Sequence, residues 1–180
     1  TGGLHLDGLM DSCDGLFGAH TRERALEIMR DPRVGSFGVL GGLVAVLARC
    51  LFTAGHGWPA WQGILLAPVI ARFVQVWAVA SFPYARPQGT GKAFDGATGR
   101  GQVAAAGASA LLLGLAVGDV PAAAWLSAGW LAGAAVAWRI HRRLGGLTGD
   151  SYGAITEVAE WAVLAAAWLL PAAGWPSLGL

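Results

Sequence analysis

Charge is what this sequence has least of. Only 13% of its 180 residues are Asp, Glu, Lys or Arg, against roughly 25% in an ordinary soluble domain. With a mean hydropathy of +0.54, that shortage argues against a conventional soluble enzyme. The formal net charge is +1 and no basic tail exists, which leaves no handle for a nucleic-acid partner. Two cysteines, Cys13 and Cys50, are too few for a disulfide framework and suit a reducing face or burial in lipid. An initiator Met is missing too. The chain opens on Thr-Gly-Gly, inside a motif, so N-terminal spans are expected to precede it.

Apolar residues make up 55% of the chain, with nine tryptophans, 28 glycines and long Ala/Leu/Val runs. This composition predicts an all-α, polytopic membrane helix bundle, read as one integral-membrane catalytic domain over residues 1–180. A transmembrane helix needs roughly 17 to 25 mostly apolar residues. Five stretches meet or approach that length: Phe37–Ala54, Trp58–Phe82, Val103–Val117, Pro121–Trp138 and Ala154–Ala173. The links Gly55–Gly57 and Gly118–Val120 allow only tight hairpin turns.

The cations fix a sidedness. Arg22, Arg24, Arg30 and Arg33 precede the first span, Arg86, Lys92 and Arg100 follow the second, and Arg139, Arg142 and Arg143 follow the fourth. Five spans place all ten on one side, which the positive-inside rule makes cytoplasmic. Arg49 and Arg72 fall within spans, where an arginine costs about 2.5–3.5 kcal/mol on insertion scales. Each must snorkel, pair inside the bundle, or meet an anionic substrate.

Against this background, Leu4-His-Leu-Asp-Gly-Leu-Met-Asp-Ser-Cys-Asp-Gly15 concentrates three carboxylates. On a helix Asp7, Asp11 and Asp14 lie within about 60° of one another. Carboxylates about 6 Å apart repel by roughly 3 kcal/mol per pair at an effective dielectric near 20. Protonation or a hard cation relieves that, and oxygen-only ligands suit Mg²⁺, then Mn²⁺. A solvated surface helix is the plain alternative, but Leu4, Leu6, Leu9, Leu16 and Phe17 make a poor one. Gly8 and Gly15 permit close approach of a substrate or another helix. His5 reads as structural and Cys13 as too soft a ligand for the same ion.

Three further segments share the cytoplasmic side. Thr21 to Asp31 is a short amphipathic helix with Thr21 as N-cap and Pro32 as its stop. Its arginines, with Arg33, can face phosphate. Residues 89–101 hold five glycines with Lys92, Asp95 and Arg100. Gly89-Thr-Gly-Lys92 lacks the P-loop spacing and its hydroxyl residue, yet backbone amides and cations can hold phosphate without one. Leu144-Gly-Gly-Leu-Thr-Gly-Asp150 leads into a helix with Glu157 and Glu160. Asp150 and Glu157 are seven apart, on one face if that helix starts early. Carboxylates at the mouths of two separate segments make a shared metal–phosphate pocket.

These motifs together resemble one family. Gly2-Gly-Leu-His-Leu-Asp-Gly-Leu-Met-Asp-Ser-Cys-Asp-Gly15, Ile28-Met-Arg-Asp-Pro-Arg-Val-Gly-Ser-Phe-Gly38, Tyr84-Ala-Arg-Pro87 and Leu144-Gly-Gly-Leu-Thr-Gly-Asp-Ser-Tyr-Gly-Ala154 look like cobalamin synthase, in family order over nearly the whole chain. The resemblance implies an integral-membrane adenosylcobinamide-GDP ribazoletransferase, with its active site facing the cytoplasm. That enzyme is Mg²⁺-dependent and moves adenosylcobinamide phosphate to α-ribazole or α-ribazole 5′-phosphate, releasing GMP. By position, Asp7, Asp11 and Asp14 match the acidic motif, taken as the metal ligands, and Asp150 the late Thr-Gly-Asp motif. Arg33, Arg72 and Arg86 match basic positions, with Lys92, Arg100 and Gly149 as further phosphate contacts. Asp150 and Glu157 are the candidate bases, His141 a third. Met10 and Ser12-Cys13 stand where small residues are common in the family.

Two other classes compete. Asp11-Ser-Cys-Asp14-Gly15 matches the opening of the CDP-alcohol phosphotransferase motif, but the following Ala-Arg and the later acidic half are absent; the Asn/Asp spacing of intramembrane prenyltransferases is absent too. A cation or metabolite transporter needs polar groups at both mouths, and the opposite face offers only His56 and Asp119.

Overall fold

The computed structural model describes residues 1–54, 61–89, 91–94, 96–117 and 121–170. Seven α-helices account for most of them: α1 (Leu4–Gly18), α2 (Arg22–Ile28), α3 (Ser36–Ala54), α4 (Trp61–Ser81), α5 (Arg100–Ala116), α6 (Ala122–Leu144) and α7 (Gly149–Leu169). The predicted all-α bundle is what forms. The two hairpin turns expected at 55–57 and 118–120, with His56 and Asp119, lie outside the described residues.

α7 is the centre of the bundle, packing most extensively on α6, α4 and α1. Its buried positions run from Ser151 to Ala167 on nearly every turn, because small residues (Gly153, Ala154, Ala159, Ala167) alternate with Ile155, Val163 and Leu164. The start of α7 is fixed chemically. Thr148 Oγ1 accepts from Ser151 N at 3.2 Å, while Ser151 Oγ accepts from Thr148 N at 3.1 Å, a reciprocal cap. α7 therefore begins five residues ahead of the expected Ala154.

α6 also runs further than expected, past Trp138 to Leu144. Arg139, Arg142 and Arg143 are thus helical rather than part of a loop, and basic side chains suit the carbonyl end of a helix. The stop is Gly145 at φ 73°, a left-handed conformation that an L side chain resists. In α2, Thr21 caps as predicted, accepting from Arg24 N at 3.3 Å, although the helix ends at Ile28, short of Pro32.

The five-span expectation is met in part. Two helices, Ser36–Ala54 and Trp61–Ser81, are long and apolar enough to cross a membrane. α5 is only 17 residues, and α6 and α7 carry charged residues at Arg139, Arg142 and Arg143 and at Asp150, Glu157 and Glu160. α3 is not a core helix: only 17% of its apolar window is buried, and Leu40, Leu43, Val44, Leu47 and Leu51 face outward.

Two backbone contacts position the site. At the crossing of α1 and α7, a Cβ on Gly8 would stand 2.7 Å from the Asp150 carbonyl oxygen, and one on Gly153 would stand 2.8 Å from the His5 carbonyl oxygen. Only glycines let these helices come so near. Elsewhere, a single parallel bridge joins Tyr84 to Leu147, with Ala85 N donating to Leu147 O at 2.7 Å and Leu147 N to Pro83 O at 2.9 Å. It clamps the Tyr-Ala-Arg-Pro segment against the turn that opens α7.

Candidate active site

A cavity of about 310 Å³ opens beside the α1–α7 crossing. Asp7, Gly8, Gly149 and Asp150 line it, with Gln75 from α4 and Gly91 and Thr98 from the glycine-rich loop. Three separately recognised segments thus meet at one opening.

Its electrostatics are strongly acidic. Asp11 is half-buried, and its pKa is pushed up to about 6, first by burial and then by the charges of Asp150, Asp7 and Asp14. Burial also raises Asp150, against the opposing pull of Arg86. Arg86 Nη1 stands 3.0 Å from Asp150 Oδ2, with the arginine side chain 9% exposed and the aspartate 23%. The same guanidinium donates to Met29 O at 3.4 Å, and its Nε has no partner. Thr148 Oγ1 donates to Asp150 Oδ2 at 3.4 Å. Asp150 is held in place, desolvated, next to two further carboxylates.

Asp14 behaves differently. Its Oδ2 accepts from Gly35 N and its Oδ1 from Gly38 N, both at 2.7 Å. Both oxygens therefore serve the amides that open α3, where a carboxylate complements the helix dipole. Asp14 shares a helix face with Asp7 and Asp11 and braces the start of α3.

A second ionic cluster lies deeper in the bundle. Arg49 Nη2 stands 3.0 Å from Glu157 Oε2 and 2.5 Å from Glu160 Oε2, and Arg72 Nη1 stands 3.0 Å from Glu160 Oε1. Both glutamates are nearly buried. The cluster ties α3 and α4 to α7 and makes the two arginines of the expected spans partners of glutamates. His5 lies between this cluster and the cavity; burial, and then Arg72, hold its pKa below the ordinary imidazole value.

The family model described as cobalamin-5-phosphate synthase matches residues 1–168. The chain belongs to that family. Among curated members of the cobalamin-5-phosphate synthase family, it is 44% identical over 167 residues to an adenosylcobinamide-GDP ribazoletransferase of Roseiflexus sp. (strain RS-1), covering 92% of this chain and 62% of the relative. It is 39% identical over 165 residues to the protein of that name from Herpetosiphon aurantiacus, covering 92% and 66%. With the Chlorobaculum tepidum protein of that name it shares 41% over 177 residues, covering 94% and 69%. The chain thus spans about two thirds of the length of these relatives. No solved structure matches it.

Within this family member, the expected site residues divide. Asp7, Gly149 and Asp150 meet at the cavity, Asp11 is coupled to them, and Arg86 pairs with Asp150. Asp14, expected as a metal ligand, has both oxygens engaged by the Gly35 and Gly38 amides and does not line the cavity. Glu157, expected as a base, and Arg72, expected as a phosphate contact, instead stand in the deeper ionic cluster, away from the cavity lining. Arg33 is exposed and forks onto Asp31 (Nε–Oδ1 3.0 Å, Nη2–Oδ2 2.8 Å), holding that carboxyl down to about 2. Lys92 and Arg100 are exposed and do not line the cavity. His141 packs against Phe82 with the rings tilted by 51° and their centres 5.2 Å apart, its Nδ1 without a partner. Sequence reasoning missed Thr148, whose capping pair with Ser151 was legible in Thr-Gly-Asp-Ser, and Gln75, which nothing in the sequence signalled.

Among the described residues, no group of three or more His, Cys, Asp and Glu side chains stands in metal-binding geometry. The donor set nevertheless fits one ion type. Exposed Asp7 and half-buried Asp11 offer hard oxygens in an acidic setting, and Mg²⁺ typically takes one or two carboxylates, completing its shell with water and substrate phosphate. The site suits a shared ion, not a protein cage.

Proposed function

We propose that this chain carries the catalytic face of an adenosylcobinamide-GDP ribazoletransferase. In this reading it transfers adenosylcobinamide phosphate to α-ribazole or α-ribazole 5′-phosphate and releases GMP, yielding adenosylcobalamin or its 5′-phosphate. The observation that carries the reading is the cavity lined by Asp7 and Asp150, with Arg86 paired to Asp150 and Asp11 feeling the charge of both acids, in a chain of this family.

The acceptor hydroxyl attacks the phosphorus joined to cobinamide, and the bond to the GMP oxygen breaks. Such a transfer asks the protein mainly for alignment and charge neutralisation. Asp7 and Asp11 would hold Mg²⁺, which when bound supplies charge neutralisation for the diphosphate. Gly149, at the start of α7, presents backbone to the cavity at the positive end of the helix. Asp150 is the better placed base of the two expected ones. Its raised pKa suits proton acceptance, and Arg86 and Thr148 fix its orientation. Lys92 and Arg100 stand near the cavity-lining Gly91 and Thr98, where their charge would favour a bound diphosphate.

We further read α3 to α7 as five spans of one integral-membrane domain with the cavity facing the cytoplasm. The outward leucines and valines of α3 support this, and the first turn of α7, with Gly149 and Asp150, stands outside the apolar layer at the cavity mouth.

The test is GMP release from adenosylcobinamide-GDP by the full-length protein in lipid, with and without α-ribazole 5′-phosphate and Mg²⁺. Release that requires both supports the reading. Release indifferent to the acceptor, or activity only on a CDP-alcohol, overturns it.

A further inference from the structure

A second cavity, of about 590 Å³, lies between α1, α6 and α7. It sits on the other side of α1 from the acidic face, since Leu9 and Leu16 project about 160–180° from Asp7 on the helical wheel. Leu9, Leu16, Val136 and Val158 give it apolar walls, while Arg139, Arg142 and Arg143 line it from the last turns of α6. None of these arginines joins an ion pair among the described residues. Arg143 donates to Ala19 O at 2.6 Å, and Arg142 stacks over Trp138 at 4.9 Å from the ring centre. Ser12 also lines the cavity. It is 2% exposed, and its hydroxyl has no hydrogen-bond partner.

We propose that this cavity binds an anionic phospholipid of the cytoplasmic leaflet, with its phosphate at Arg139 and Arg142 and an acyl chain along Leu9, Leu16, Val136 and Val158. Three uncompensated cations beside an apolar slot match a phosphate joined to hydrocarbon. A free anion would leave the slot unfilled, and a zwitterionic lipid would bring its own cation to the arginines. Trp138 at the same edge is the residue type that favours the membrane interface, and basic pockets between spans on the cytoplasmic side suit anionic head groups. Ester oxygens of the lipid would give the orphaned Ser12 hydroxyl an acceptor. The inference rests on the membrane reading of α6 but not on the transfer reaction.

Cys13 lines the same cavity and reports on it. In full-length protein in detergent, with its other cysteines replaced by serine, Cys13 alkylation is followed while phosphatidylglycerol, phosphatidylcholine or inorganic phosphate is added. Phosphatidylglycerol alone should protect, and Arg139→Gln with Arg142→Gln should weaken protection about thirtyfold. Equal protection by phosphatidylcholine, protection by inorganic phosphate at the same concentration, or none at all overturns the proposal. If the double variant does not fold, Val136→Phe narrows the slot. It should abolish protection, and unchanged protection there overturns the proposal too. Asp7→Asn should retain lipid protection whatever it does to GMP release, so the two readings fail separately.

Discussion

Arg86 reaches Asp150 across 3.0 Å and joins the segment after α4 to the first turn of α7. The pair is largely buried, so removing one partner strands the other. Arg86→Ala should destabilise the protein by about 3–5 kcal/mol, read by thermal unfolding in detergent. It should also raise the Asp150 pKa further, since the arginine is the chief influence holding it down. The folded fraction should then lose transfer at neutral pH and recover part of it at higher pH. A flat pH profile would show that Asp150 is not the base.

The aspartates of α1 should separate by role. Asp14→Ala removes both acceptors of the α3 amides and should cost about 1–2 kcal/mol in stability, with Mg²⁺ affinity of the folded protein nearly unchanged. Asp7 is exposed, so Asp7→Asn should change stability by less than about 0.5 kcal/mol. The same substitution should weaken Mg²⁺ activation by an order of magnitude. Parallel unfolding scans and Mg²⁺ titrations decide; a swap of the two phenotypes contradicts these assignments.

Asp11 predicts a pH dependence. Its carboxyl is raised from 3.8 to about 6 in the folded chain, so the metal-free protein binds a proton there that the unfolded chain releases earlier. Its stabilising contribution is full below about pH 4 and is lost as pH rises through about 6. Protons compete with Mg²⁺ for the same oxygens, so Mg²⁺ affinity should fall as pH drops through 6. Asp11→Asn should flatten that slope. Titrations on either side of pH 6 test it.

The Arg49–Glu157–Glu160–Arg72 cluster should behave as scaffold. Arg49→Ala leaves Glu157 without its counter-ion and should cost roughly 1–3 kcal/mol, less than a fully buried pair because the Arg49 side chain is 46% exposed, with substrate KM in the folded fraction close to that of the parent. A large rise in KM for Arg72→Ala at unchanged stability would return Arg72 to the substrate site.

Much of this was legible in the residues. Hydropathy placed α3 and α4 to within a few residues, and the motif positions of Asp7 and Asp150 put them at one opening. Local periodicity could not see partners that arrive from far along the chain. It set Asp14 on the face of Asp7 and Asp11, but the amides of Gly35 and Gly38 claim its oxygens. Glu157 shares a face with Asp150, yet seven residues of helix rise carry it about 10 Å deeper, where Arg49 from another helix takes its charge. The basic run after Trp138 read as a loop because it is charged. Arginine and leucine are good helix formers, and only Gly145 ends the helix.

The meeting of Gly8 with Gly153 has a consequence for how this protein tolerates change. Where two helices touch through bare backbone, their separation is set by peptide atoms and not by the bulk of side chains between them. The carboxylates of Asp7 and Asp150 hang from that joint. Substitutions that swell or shrink the apolar interior elsewhere can tilt or loosen the outer helices while the two acids keep their spacing. A single methyl group added at the joint would part them.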